Sequence, residues 1–383
     1  MANITDLDVQ IVVPIHDPSR FFERMVTAVL GEEGPDLRVG VIAVLHNLGV
    51  DEDKEVRRRL RIVEKTPGSL RFLTVRDGIP SPAGPLNAGL ESAEAEWVGV
   101  AGSDDDLDHG ALASWVIQGM RRNADIVLAP ILDTDGTLAP TPPVRVGGKI
   151  SRTRRPIADR LYYRSSPVGI FRRTHLQRSQ ARMTVHAQTG EDIAFMARLL
   201  SNGGQRKSPR VIVADPRQGA YRIVDDAPSR ASTKRKAIED QLCGVRGALS
   251  SSTMSILTTQ QQRALGTKIL RRDLIEILSQ RVEWGDITDA TESLAEIVEQ
   301  IQKIGNCEGY LAKSEMNLLR EGTSPTATLE SIKEALQQAR QYRSFSSLLA
   351  HDWRLTFSRD APLRYRFASK FAAACYRRRY ELR

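Results

Sequence analysis

Four residues in a row, Ser103, Asp104, Asp105 and Asp106, stand where an apolar run ends. Three adjacent carboxylates repel one another and call for compensating positive charge. Their oxygen donors suit a hard divalent cation such as Mg²⁺ or Mn²⁺. A solvated acidic turn, or a helix start stabilised by the macrodipole, accounts for the same residues without a metal. Other chemistries find less support. The histidines and cysteines show neither His-x-x-x-His nor Cys-x-x-Cys spacing, so zinc is not expected. Gly147-Gly148 and Gly203-Gly204 do not fit a nucleotide fingerprint, and no Gly-x-Ser-x-Gly elbow is present.

The surrounding pattern favours function. Trp97 to Ala101 reads as a short buried strand closed by Gly102. Val9 to Pro14, Val39 to Leu45 and Leu70 to Val75 read as further strands. Phe21, Phe22, Met25, Val26 and Val29 recur at helical spacing, and the loop Gly78 to Pro85 leads into a helix from Leu86. The order is that of an α/β fold with parallel strands. Ligands of such sheets bind at the carboxyl ends of strands, where the acidic turn lies.

The same order resembles a family 2 glycosyltransferase of the inverting, nucleotide-sugar-dependent GT-A type. Val9 to Asp17 resembles its opening strand and polar turn, and Asn87-Ala88-Gly89-Leu90 its Asn-x-Gly-Leu helix. Trp97 to Leu112 resembles its strand and aspartate motif, and Gly190-Glu191-Asp192 its Gly-Glu-Asp motif. Phe171-Arg172-Arg173, and Tyr221-Arg222 with Ser229 and Ser232, are weaker matches. The resemblance implies a Rossmann-like transferase domain over residues 1–233. It implies donor contacts from Pro14, His16, Asp17, Asn47, Asn87 and Asp104, and a Mn²⁺ or Mg²⁺ ion held by Asp105, with Asp106 beside it. It places the general base at Asp192, with Glu191 orienting it or touching the acceptor. Two positions depart from the pattern. Gly102 stands at the family's usual first aspartate, and His46-Asn47 at its aspartate pair for the nucleobase. Asn47 can still bond a base edge, since an amide both donates and accepts. These departures leave a rival open: a GT-A-like protein that binds nucleic acid or a membrane surface without catalysis.

The chain has 383 residues, 41% hydrophobic, with a formal charge of +8. No run approaches the roughly 18 to 20 apolar residues of a membrane span. The N-terminal residues lack a signal-peptide pattern, and three scattered cysteines argue against a disulfide framework. A cytoplasmic enzyme, peripheral to the membrane if attached at all, is expected. After Ser229 helical periodicity takes over, and the resemblance ends. Residues 234–262 read as a polar helical connection and 263–383 as an all-α domain. In that domain Asp289 and Glu292 have capping-box spacing, and Ser324-Pro325 reads as a helix opening. This part either grips the acceptor, forms a homo-oligomer or closes over the donor. Its end interleaves Arg364, Arg366, Lys370 and Arg377 to Arg379 with Tyr365, Phe367, Phe371, Tyr376 and Tyr380. That mixture suits an anionic partner, either a membrane surface or nucleic acid. The acceptor is left open among glycan, protein and modified nucleic-acid base.

Overall fold

The computed structural model describes residues 8–64, 66, 68–139, 153–201, 203–204, 208–224, 235–287, 289–341 and 344–380, without the side chains of 372, 373 and 375–380. Ser229 and Ser232 lie outside these residues. The α/β half runs β1 (Val9–Ile15), α1 (Phe22–Leu30), β2 (Val39–His46), α2 (Val50–Val63), β3 (Leu70–Val75), α3 (Ala83–Ser92) and β4 (Trp97–Val100). It continues through β5 (Asp106–Leu107), α4 (Ala111–Arg121), β6 (Ile126–Leu128), β7 (Ile131–Leu132), β8 (Leu138–Ala139), β9 (Gly169–Arg172), α5 (Arg173–Ser179), α6 (Asp192–Leu199), β10 (Val211–Val213) and β11 (Tyr221–Arg222). The helical half comprises α7 (Ile238–Leu249), α8 (Ser251–Met254), α9 (Thr259–Lys268), a π-helical stretch (Ile269–Leu274), α10 (Ile275–Trp284), α11 (Thr291–Gln302), α12 (Lys313–Gly322), α13 (Leu329–Arg340), α14 (Phe345–Leu348) and α15 (Pro362–Tyr380).

Seven strands form the main sheet in the order β10-β6-β9-β4-β1-β2-β3. The β-branched runs that mark β1 and β2 are buried almost throughout, as expected of strands covered on both faces. β1, β2, β3 and β4 are parallel, so their carboxyl ends share one edge. The expected parallel pattern fails at β9, which runs antiparallel between β4 and β6. A second sheet, β5-β11-β7-β8, stands beside the acidic turn.

Several expectations for the helices change. The 234–262 stretch is not a connection. α7 buries Ile238, Leu242, Val245 and Leu249 in the core that holds Phe195 and Met196 of α6. α13 opens at Thr328, whose hydroxyl accepts from the Ser331 N–H, and not at Ser324-Pro325. Asp289 caps nothing; its carboxylate accepts from Arg281 at 2.8 Å. One apolar core runs from Val12 and Val98 of the sheet, through Phe195, to Leu270, Leu278, Leu294, Leu319 and Leu336 of the helices. The other face of the sheet is covered by a second core with Phe22, Met25, Leu112 and Trp115. No helix among the described residues is long and apolar enough to cross a membrane.

Candidate active site

The carboxyl edge of the sheet gathers residues from four strand ends. The acidic turn after β4 is neutralised largely from within. Arg20 donates to Asp104 Oδ2 at 2.6 Å, and Arg24 to the Asp104 carbonyl at 3.4 Å. The Tyr221 hydroxyl donates to Asp105 Oδ2 at 2.5 Å, and the Val224 N–H to Oδ1 at 3.1 Å. Asp106 Oδ1 accepts the N–H of Leu107 at 2.8 Å. Burial, and then the Asp105 charge, hold the Tyr221 phenol well above its ordinary value, so it stays a donor. Tyr221 was a minor sequence match; here it fixes the orientation of Asp105.

Gly102, the departure from the family pattern, has a physical reason. Its N–H donates to the Tyr221 hydroxyl at 2.8 Å. A Cβ at this position would lie 2.7 Å from Asp105 Oδ2. Any larger residue would push the Asp105 carboxylate off Tyr221.

His46 and Asn47, at the end of β2, form a network with Asp77 after β3. Asp77 Oδ1 lies 2.9 Å from His46 Nε2 and accepts from the Ile79 N–H at 2.9 Å. The Asn47 amide accepts from the Gly78 N–H at 3.0 Å and donates to the Ile79 carbonyl at 3.2 Å. Asn47 therefore shapes this loop with both ends of its amide. Asp77 brings a carboxylate to the edge where the family pattern has one. Sequence reasoning missed it, although Asp77 stands two residues past the end of a strand-like run, where a ligand-binding residue is expected. At the end of β1, Pro14 pairs in register with Val44. Asp17 accepts from Ser19, whose hydroxyl and N–H hold the carboxyl below its ordinary value. Burial, and then the Arg20 charge, lower the His16 imidazole.

The Asn87 amide is engaged by the loop that leads to Glu191. It donates to the Met183 carbonyl at 3.1 Å and accepts from the Met183 N–H at 2.8 Å. Ser81 donates to the Ala187 carbonyl at 2.5 Å. These bonds tie the loop before Glu191 to the start of α3, at the same sheet edge. Gly190, at φ +69°, turns the chain into α6. α7 presses on that turn: a Cβ on Gly244 would lie 2.3 Å from the Gly190 carbonyl.

Glu191 and Asp192 are partly buried at this turn. Burial pushes Asp192 up to about 6, with Lys268 pulling it down and Asp273 pushing it up. Burial, and then the Asp192 charge, push Glu191 up to about 8. Burial and the proximity of the two charges thus favour one proton and one negative charge on the pair near neutral pH. Lys268 is buried and donates to both oxygens of Asp273, at 2.9 and 2.8 Å. Both residues flank or lie in the π-helical stretch, a feature common at functional sites. Neither was singled out from the sequence, because a helical lysine and aspartate carry no motif.

A metal ion must find its ligands here if it is used. Among the described residues no group of three His, Cys, Asp or Glu side chains is arranged to hold one. Magnesium commonly binds through one or two carboxylates plus substrate phosphates. The turn fits that arrangement with Asp105 as the protein ligand.

The structure superposes on the 1–349 fragment of Staphylococcus aureus TarS in complex with UDP-GlcNAc, with a TM-score of 0.68. The match covers 88% of this chain and 93% of that fragment, at 15% identity. The fold is that of a GT-A glycosyltransferase. TarS 1–349 in complex with UDP also matches this GT-A chain, with a TM-score of 0.60 at 14% identity, over 88% of this chain and 93% of the fragment. In sequence, the chain is 21% identical over 195 residues to TarP, a poly(ribitol-phosphate) β-N-acetylglucosaminyltransferase of Staphylococcus aureus. That match spans 51% of this chain and 58% of TarP. No protein-family model matches the chain.

Proposed function

We propose that this chain is an inverting glycosyltransferase that moves a sugar from a nucleotide-diphosphate donor to a hydroxyl acceptor. The observation that carries the reading is the convergence at one sheet edge. His16 and Asp17, His46 and Asp77, and Asp104 and Asp105 follow four parallel strands, and hydrogen bonds from Ser81 and Asn87 tether the loop bearing Glu191 and Asp192 to that edge. UDP-N-acetylglucosamine is the donor we favour, because the best-superposing of the TarS structures described above holds that molecule. For the acceptor we favour a hydroxyl of a polyol-phosphate chain, by likeness to the named substrate of TarP. We place the enzyme on the cytoplasmic side, where it would meet a nucleotide-sugar donor.

In the proposed mechanism Asp192 takes the proton of the attacking hydroxyl. A carboxylate raised to about 6 is still mostly ionised at neutral pH, yet is a stronger base than a surface aspartate. Glu191, protonated, adds no competing charge and can donate to the acceptor. Arg20 keeps Asp104 in place beside the diphosphate. Tyr221 aims Asp105, the residue that would hold a divalent cation. Such an ion would neutralise charge on the departing diphosphate.

The test is release of UDP from UDP-N-acetylglucosamine with and without Mn²⁺ and with a polyol-phosphate acceptor. Turnover that needs acceptor and is lost in Asp192→Asn is expected. Absence of both donor binding and turnover would remove the reading.

A further inference from the structure

The C-terminal helix α15 turns some of its aromatics toward the protein and others outward. Tyr365 of α15 packs against Tyr163 with ring centroids 5.0 Å apart, and the Arg271 guanidinium lies 5.0 Å from its centroid. Ala361 and Ala368 are buried. The outer side is different. Twelve large hydrophobic side chains are exposed among the described residues, and six fall between residues 345 and 371. They include Phe345 at 83% exposed, Trp353 at 75%, Phe357 at 76% and Phe367 at 61%. Phe367 and Phe371 stack on one another, 6.5 Å between centroids. An exposed cluster of this kind marks an interaction surface.

Charge says what the surface meets. Between 345 and 371 the sequence carries five cations, Arg354, Arg359, Arg364, Arg366 and Lys370, against two acids, Asp352 and Asp360; Arg354 pairs with Asp352 and Arg366 with Glu315. Beside the aromatics opens a cleft of about 1090 Å³ between α10, α13 and α15. Ile275, Leu336, Leu363 and Phe367 line it as apolar wall, and Arg272, Arg340 and Lys370 are exposed at it. Its two acids are unequal: Glu315 is engaged by Arg271 and Arg366, whereas Glu276 is exposed and, among the described residues, accepts from the neutral Gln280 amide at 3.4 Å. A basic rim over an apolar wall fits an amphiphile whose head is anionic.

We propose that this face docks the chain on an anionic phospholipid surface, with a headgroup phosphate seated in the cleft. Exposed rings suit the interfacial level of a bilayer, and basic side chains its anionic phosphates. A second copy of the same positive face would repel the first. Nucleic acid would gain from the cations but not from the aliphatic wall. The inference stands apart from the transferase reading, because its test needs no turnover.

The experiment is flotation of the whole chain with vesicles of phosphatidylcholine alone, or phosphatidylcholine with phosphatidylglycerol, across a salt series. A nucleic-acid oligomer is run in parallel. Binding to the anionic vesicles is expected, weakening as salt rises. Phe357→Ser with Phe367→Ser should lower it at every salt concentration. Arg272→Glu with Lys370→Glu should remove most of the preference for phosphatidylglycerol, about fivefold or more per charge. Both variants change exposed side chains, so an unchanged melting temperature should accompany both losses. The proposal is overturned if neither vesicle binds at low salt, or if both bind equally. It is also overturned if the oligomer binds more tightly than the vesicles, or if the aromatic variant keeps vesicle binding while dissociating a self-associated wild type.

Discussion

Glu191→Gln should stabilise this protein at alkaline pH and change little in acid. Burial, and then the neighbouring Asp192 charge, raise the Glu191 carboxyl from 4.5 to about 8. A group raised in the folded state keeps its proton while the unfolded chain releases it. Below about pH 4.5 both states are protonated and the site imposes no penalty. Between about 4.5 and 8 wild-type stability falls with pH, by about 1.4 kcal/mol per unit if this group alone titrates. Above 8 the loss is complete. Taken whole, the displacement from 4.5 to about 8 corresponds to at most about 5 kcal/mol, and it shrinks together with the pKa to the extent that water reaches the partly open rim. The amide keeps the shape and has no charge to desolvate. Other groups titrate alike in both proteins, so the difference between their urea-unfolding free energies isolates this site. That difference should be near its minimum at about pH 4.5 and grow to a plateau above 8. Asp192→Asn removes one of the two causes and should flatten the wild-type slope only in part. If wild type and Glu191→Gln lose stability in parallel across that window, Glu191 is not held protonated, and the division of labour within the acidic pair is wrong.

Asp192→Asn should lower turnover by roughly a hundredfold or more with donor affinity nearly unchanged, by single-turnover kinetics and donor titration, as for loss of a proton acceptor. Asp105→Asn should abolish any Mn²⁺-dependent part of donor binding, read by calorimetry; Tyr221→Phe should weaken it less, since only orientation is lost. Lys268→Met removes a charge that lowers Asp192, so the acid limb of the pH–rate profile should move to higher pH; an unmoved limb would separate Lys268 from the base. Gly102→Ala should leave the fold intact by circular dichroism yet impair donor binding, because the new Cβ displaces Asp105.

What the sequence disclosed follows from how local each signal is. β1 to β4 are legible because short β-branched runs suit strands buried on both faces. α2 escaped notice because only Val56 and Leu60 of its fourteen residues are buried, too thin a stripe to show a period. The acidic turn was visible as a run of carboxylates, but not what offsets them: Arg20 lies 84 residues from Asp104, and Tyr221 lies 116 from Asp105. Gly102 looked like a lost aspartate until its contact with Asp105 supplied a reason. Asn87 matched its motif, yet its amide ties down the Met183 loop.

The helical half is more than an appendage to the transferase fold. Its α7 bears on the turn that sets Asp192, through the close approach of Gly244 to Gly190. Its Lys268 and Asp273 set part of the field in which Asp192 titrates. Its apolar stripes continue the core that carries α6. In the proposed reading the donor edge, by contrast, lies at the strand ends of the α/β half. The two reacting groups of the proposed transfer are therefore governed by different parts of the chain. Substitutions in α7 or the π-helical stretch should disturb the acceptor step first, and those around Asp77 or Gly102 the donor step first. The helices thus have a stake in the chemistry that their sequence, lacking any motif, did not advertise.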